Sequence, residues 1–249
     1  MLRITTLSLA RLAVTCNITF VRPYGAMAPK ARRPVQQVEE RMARYSNEHK
    51  EETRRRIIEA AGRRLKRDGI DGSGIAALMA DAGLTNGAFY AHFGSKDDLV
   101  ASVVQEELRR QSATLNGLAP GVAGVEQLVR GYLSPEHRDH RDEGCPSAAL
   151  LDEIGRSAEL TKDAYTAGTK NLVDELAERL SSPDDPESAH GRALILFTMM
   201  VGTLQLARAV TDPALSDEAL AQGLDRALTF LGDATVADSS RNQTTGESR

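Results

Sequence analysis

Tryptophan is absent, cysteine occurs twice, and aromatic residues make up only 4% of the 249-residue chain. Each scarcity excludes something. Cys16 and Cys145 are too few and too far apart to found a disulfide framework, so the expected compartment is a reducing one, the cytoplasm. No run of 18 or more apolar residues occurs, so neither a transmembrane helix nor a membrane partner is expected. Strand-period runs of useful length and internal repeats are also missing. So are a Gly-rich phosphate loop, HExxH and GxSxG, and the sequence therefore predicts no cofactor and no enzymatic activity. What abounds is Ala, Leu, Arg and Glu, which favours helices. With 41% apolar and 27% charged residues the chain has the balance of one or two folded domains.

The net charge of -4 hides an uneven distribution. Residues 1–50 carry nine basic against three acidic side chains, residues 51–100 eight of each, and residues 101–249 fourteen against twenty-four. Such asymmetry points to a basic binding end joined to an acidic body. Much of the positive excess lies before residue 42, however. From Met42 to Val100 the count is ten basic against nine acidic, so bulk charge alone is no evidence for nucleic acid.

Residues 1–41 have no acidic residue before Glu39 and mix Arg3, Arg11, Arg22, Lys30, Arg32 and Arg33 with short apolar stretches. They read as a disordered extension or as a start placed too early, with Met27 or Met42 as the true one. A targeting peptide and a basic arm for phosphates are the rivals. The helical period appears from Glu51, where Ile57, Ile58, Ala61 and Leu65 form one stripe and Asp68-Gly69 closes the helix. Asp71-Gly72-Ser73-Gly74 is a turn cluster. Ile75, Leu78, Met79 and Ala82 then make a short amphipathic helix that Gly83 breaks. Thr85 caps a third, very short helix running to about Ala91. Ser95 and Asp98 form a capping-box pattern, with Asp in place of the usual Glu or Gln. The spacing predicts further helices over 96–114, 122–133, 146–156, 159–180, 187–210 and 216–231. Ser134 to Gly144 reads as a break, and the Ser/Thr/Asp-rich residues 233–249 as a disordered tail.

Two short helices joined by a glycine-containing turn form a helix-turn-helix, here with its motif at about 74–93. Ile75, Leu78, Ala82, Leu84 and Phe89 are expected to clamp the pair against the first helix. Gly87 and Ala88 keep the last helix slim enough for the major-groove wall. Thr85, Asn86, Tyr90 and His92 are then free to reach phosphates or base edges. Blander roles compete at three positions: ring packing for Tyr90, a partly buried hydrogen bond for His92, and a solvated charge for Lys96. A lysine opening a helix is electrostatically unfavourable unless an anion lies near.

Residues 53–100, and above all Tyr90-Ala91-His92-Phe93-Gly94-Ser95-Lys96, resemble the DNA-binding region of the TetR/AcrR family of bacterial transcriptional regulators. The likeness covers about 50 of 249 residues. It implies an all-α chain with a three-helix helix-turn-helix DNA-binding domain at 48–100. A helical ligand-binding and dimerisation domain at 101–232 would follow. By the resemblance, Thr85, Asn86 and Gly87 match the start of the recognition helix, and Tyr90 and His92 match phosphate- or base-contacting positions. Lys96 matches the lysine opening the fourth helix, and Ser73 and Gly74 the start of the second. Gly74 stands where many members have a bulkier residue, and the leader is longer than usual.

The implied partners are double-stranded, palindromic operator DNA, a small-molecule effector, and a second copy of the chain. Helices 187–210 and 216–231 resemble the family's dimerising pair. The first of them is apolar nearly all round and should be buried on most faces. Phe197 and Met200 belong to core, interface or pocket. Cys145 precedes Pro146 at a helix start, where a thiol can be activated as an oxidant or electrophile sensor, although its small apolar neighbours favour an inert packed side chain. His137, His140 and Cys145 bring metal-ligand types together without metal-site spacing, so no metal is expected. The leading expectation is a ligand-released homodimeric repressor. Its rivals are a redox or electrophile sensor acting through Cys145, a small-molecule-binding protein without operator recognition, and a helical enzyme of unrecognised type.

Overall fold

The computed structural model describes residues 34–181 and 186–244, whose regular structure is all helical, with no strand among the described residues. The helices are α1 (Pro34–Asp68), α2 (Ile75–Asp81), a 3-10 helix (Asn86–Ala91), α3 (Lys96–Asn116) and α4 (Gly121–Tyr132). They continue as α5 (Pro135–Asp139), α6 (Pro146–Arg156), α7 (Glu159–Leu180), α8 (Pro186–Ala209) and α9 (Pro213–Thr244). The chain divides into two compact units, Met1–Tyr45 and Ser46–Arg249.

Two apolar cores organise the second unit. In the first core, the stripe Ile57, Ile58, Ala61 and Leu65 of α1 meets Leu78 and Met79 of α2 and Phe89 of the 3-10 helix. Ile75 and Leu84 pack partly buried against the same cluster. Gly69 and Gly83 close α1 and α2 in left-handed conformations, at φ 83° and 68°, which glycine adopts without a Cβ penalty. Ser95 caps α3 by accepting from the Asp98 N–H at 3.1 Å, and the Asp98 carboxylate reaches back to the Gly94 N–H at 3.0 Å. The shorter Asp thus completes the box one residue further out. The second core joins Leu115, Val125, Val129 and Leu176 to Leu196, Phe197, Met200 and Leu204 of α8 and to Leu220, Ala227 and Leu231 of α9.

The packing crosses the boundary expected at residue 100. α3 feeds the first core as far as Leu108 and the second at Leu115, while Leu150 and Ile154 of α6 also enter the first. Four other expectations need correction. α1 begins at Pro34 rather than near Glu51, because residues 35–50 hold neither Pro nor Gly even though their apolar spacing is sparse. α5 forms inside the expected break, with Ser134 accepting from the His137 N–H at 3.1 Å and Pro135 in its first turn. α9 continues to Thr244 through most of the expected tail, since no helix breaker follows Gly232 before that point. The leader residues 1–33 lie outside the described residues.

The fourth correction concerns α8. By length and composition it is the one described helix able to cross a membrane, with mean hydropathy 1.2 over its most apolar window. Ala193, Leu196, Phe197, Met200 and Leu204 are buried, but Leu194, Ile195 and Leu206 are exposed at 44%, 52% and 54%. In the single chain one face of this apolar helix is therefore bare.

Lys66, near the end of α1, is only 4% exposed. Its ammonium donates to Glu107 of α3 at 2.6 Å and to the Gly144 carbonyl at 3.1 Å. Removing one partner of such a pair strands the other charge. Glu107→Gln is expected to destabilise the fold by about 3–5 kcal/mol in urea unfolding. The double replacement Lys66→Met/Glu107→Leu should cost clearly less. Equal losses would show that the ion pair is not what the site requires.

Candidate nucleic-acid interface

The helix-turn-helix is assembled by contacts on its inner side. Phe89 is fully buried, edge-on to Tyr90 at 5.2 Å between ring centres and 5.7 Å from Phe93. The Arg54 guanidinium covers the Phe93 ring at 4.8 Å and donates to Ser102 at 2.9 Å, tying α1 to α3. On the flank, Arg64 grips both oxygens of Asp81, at 2.5 and 3.0 Å, which fixes α2 to α1 and holds the Asp81 carboxyl below its usual range.

The outer side carries the expected recognition residues. Thr85, Asn86, Gly87 and Tyr90 are all exposed, Tyr90 at 71%. Thr85 sits in extended backbone ahead of the 3-10 helix, and its hydroxyl makes no capping bond. A Cβ built on Gly87 would meet nothing within 4 Å, so the space its missing side chain leaves belongs to whatever approaches from outside. The same holds at Gly74, whose position before α2 has no side-chain cap.

Three expected residues are placed differently. Ser73 is fully buried and its hydroxyl donates to the Gly69 carbonyl at 2.7 Å, so it braces the turn and presents no donor outward. His92 is half-buried with an unpartnered buried Nδ1. Burial first, then the charges of Lys50 and Arg54, lower its pKa and so favour the neutral ring. Lys96 donates to the Ile70 carbonyl at 2.6 Å, so it anchors the turn between α1 and α2 with one of its three protons.

Sequence reasoning missed a second clamp on that turn. Glu153 of α6 accepts from the Ile70 N–H at 2.6 Å and the Asp71 N–H at 3.2 Å. A Cβ on Gly69 would come within 2.8 Å of the same carboxylate. No local pattern announces a partner more than 80 residues away.

The residues expected at a ligand or sensor site do converge. Cys145, Phe197 and Met200 all line one cavity of about 580 Å3, walled by α1, α3, α4, α7, α8 and the residues before α6. Cys145 is a free thiol, 1% exposed. His137 joins them with both ring nitrogens engaged, Nδ1 to the Tyr132 carbonyl at 2.7 Å and Nε2 accepting from the Cys145 N–H at 3.1 Å. Burial lowers its pKa, in keeping with that neutral arrangement. Among the described residues no group of three or more His, Cys, Asp or Glu is arranged to hold a metal ion.

Residues 57–103 match the family model described as bacterial regulatory proteins, tetR family. Over 63 residues the chain is 40% identical to the HTH-type transcriptional regulator TtgR of Pseudomonas putida, covering 25% of this chain and 30% of that one. Over 88 residues it is 30% identical to the HTH-type transcriptional repressor AcnR of Corynebacterium efficiens, covering 35% of this chain and 44% of the relative. The match thus spans less than half the length of these relatives. The fold extends the likeness further. The crystal structure of E. coli NemR in its reduced form superposes with a TM-score of 0.60 over 71% of this chain and 95% of that one, at 18% identity. The segment that builds the helix-turn-helix, residues 57–103, is thus the part of the chain that matches the tetR family of bacterial regulatory proteins.

Proposed function

We propose that the chain is a transcriptional repressor that binds operator DNA as a homodimer and is released from it by a small molecule held in the helical cavity. The observation that carries this reading is the outward row Thr85, Asn86, Gly87 and Tyr90, unobstructed on a rigid apolar base. Backbone N–H groups at the start of the 3-10 helix, the hydroxyls of Thr85 and Tyr90 and the Asn86 amide are the donors that fit phosphates and base edges. Gly74 offers its open N-terminal turn in the same way. Lys96 keeps two protons for a phosphate while it holds Ile70. Ser73 and His92 act by positioning.

Dimerisation is supported by the bare face of α8, where Ile195, Thr198, Gly202 and Leu206 follow one another at helical spacing without a charge. Paired across a two-fold axis with α9, this face would set two recognition helices into major grooves one helical turn apart, about 34 Å, on palindromic DNA. A chain that acts on bacterial chromosomal DNA works in the cytoplasm.

Release follows from the wall of the cavity. Lys66 belongs to α1 of the DNA-binding half, yet it lines the cavity beside Glu107 and Cys145. A ligand that fits better with Lys66 displaced than in place favours the arrangement in which α1 is no longer held, and only that difference in affinity can shift the population. A second reading, sensing through Cys145, is favoured by the thiol's place on the same wall.

Three outcomes test these readings. Tyr90→Ala should weaken binding to the DNA flanking the gene by about 1–3 kcal/mol in gel-shift titration and leave the sedimenting mass unchanged. Undiminished affinity would dismiss the recognition surface. The double change Ile195→Arg/Leu206→Arg should yield monomers by analytical ultracentrifugation and lose the operator, and a persisting dimer would move the interface off α8. Cys145→Ser should leave ligand-induced release intact. Loss of peroxide- or quinone-induced release in that variant would establish the thiol reading instead.

A further inference from the structure

The chemical class of molecule that the cavity accepts is written in which of its polar groups already have partners. The charges at its buried end are internally compensated. Lys66 is neutralised by Glu107 and has a second acceptor in the Gly144 carbonyl. Arg110 pairs with Glu106 at 3.1 Å and with Glu107 at 3.8 Å. An anion bound there would have to compete with Glu107. The cavity's other carboxylates, Asp142 and Glu143, are half-buried and exposed, so a cation would meet them in contact with water and not beside Glu107. Burying an unpaired charge is too costly for either to be the natural guest.

Two uncharged groups on the same wall lack a strong partner. The Tyr132 hydroxyl, in a residue only 7% exposed, has no oxygen or nitrogen partner, and the Cys145 thiol alongside is a weak one; burial first, and then that thiol, push its pKa well up. It is therefore a neutral O–H whose polar neighbour is a weak acceptor. The Gln111 amide oxygen is likewise buried without a donor. Leaving such groups bare disfavours the empty cavity, and meeting them requires only the side-chain rotations that commonly accompany binding. His137 cannot serve, since both its nitrogens are occupied. The rest of the deep surface is apolar, with Leu128, Leu172, Leu176, Phe197 and Met200, and the volume of about 580 Å3 lies in the ordinary range for small ligands.

The geometry points to an uncharged amphipathic ligand. A hydroxyl or amide at one end is met by Tyr132 and Gln111, and the apolar body lies against α7 and α8. This inference rests on the proposal that the cavity holds the effector, and it adds the class of effector.

Isothermal titration of the full chain with three probes of one shape tests it: 4-hexylphenol, 4-hexylbenzoate and 4-hexylbenzylammonium. The phenol is expected to bind at least about tenfold more tightly than either ion. Tyr132→Phe and Gln111→Leu should each weaken the phenol by about tenfold, while hexylbenzene, which cannot hydrogen-bond, binds each variant as it binds the original chain and so reports an intact cavity. An ion that binds as tightly as the phenol, no binding of the phenol, or phenol affinity unmoved in both variants would overturn the proposal. Gel shifts with the gene's flanking DNA separate the two levels. Phenol binding that follows the expected pattern with operator affinity unchanged supports the site and overturns its effector role. Specific operator binding without phenol binding overturns the site alone.

Discussion

One buried ammonium organises this molecule. Lys66 lies within the protein at the last turn of α1, and a charge in that position must be held by a carboxylate and further acceptors or it will not stay inside. Glu107 and the Gly144 carbonyl supply those acceptors, one from α3 and one from the approach to α6. The pair demands close quarters. A Cβ on Gly62 would come within 2.7 Å of Glu107, and one on Gly144 within 2.4 Å of the His137 ring. Both glycines are therefore space requirements of the same joint. Two residues beyond Lys66 the chain enters the turn that Glu153 and Lys96 grip from either side. The start of the helix-turn-helix is thus held by distant residues as well as by the local bond from Ser73 to Gly69.

Because α3 and α6 contribute to both apolar cores, the two functional halves do not have independent interiors. Cys145 and Ala148 at the start of α6 face the second core, Leu150 and Ile154 further along face the first, and Glu153 on the same helix holds the Ile70 turn. A shift of α6 relative to α3 therefore cannot be absorbed locally. Close-packed interiors switch between arrangements rather than deform smoothly, which is the property the proposed ligand-controlled release would require.

The local architecture was legible in the sequence, and its long-range joints were not. Apolar spacing placed the stripe Ile57, Ile58, Ala61 and Leu65, glycine placed the ends of α1 and α2, and Ser95 with Asp98 placed the start of α3, because each depends on neighbours within one or two turns. α5 is the exception: Ser134-Pro135 is a helix-start signal, but the charged residues after it carry no apolar period to mark a helix. Ser73 and Lys96 illustrate the limit at the candidate site. Both have the chemistry of phosphate donors, and a linear pattern cannot tell that Gly69 and Ile70 carbonyls lie within their reach. The cavity was only half visible. The sequence pattern points to Phe197, Met200 and Cys145, but nothing in it links Lys66 to Glu107, 41 residues away. Burial of a lysine is decided by its three-dimensional neighbours alone.

The near-neutral balance of the DNA-binding segment then takes on physical meaning. Many of its cations are already spoken for: Arg64 by Asp68 and Asp81, Arg67 by Asp68, Arg55 by Glu52, Arg63 by Glu59, and Arg54 by the Phe93 ring and Ser102. Counterion release scales with the number of phosphates that cations neutralise. A surface with most of its arginines spent on internal bonds therefore draws less of its affinity from nonspecific attraction. More must come from hydroxyls, amides and backbone N–H groups aimed at particular atoms. Such contacts are short-ranged and tolerate little misplacement, so under the proposed function a small rotation of the 3-10 helix would remove most of what holds the DNA. Low bulk charge would in this sense suit the proposed control by a ligand: weak nonspecific attraction would make release complete once geometry is lost.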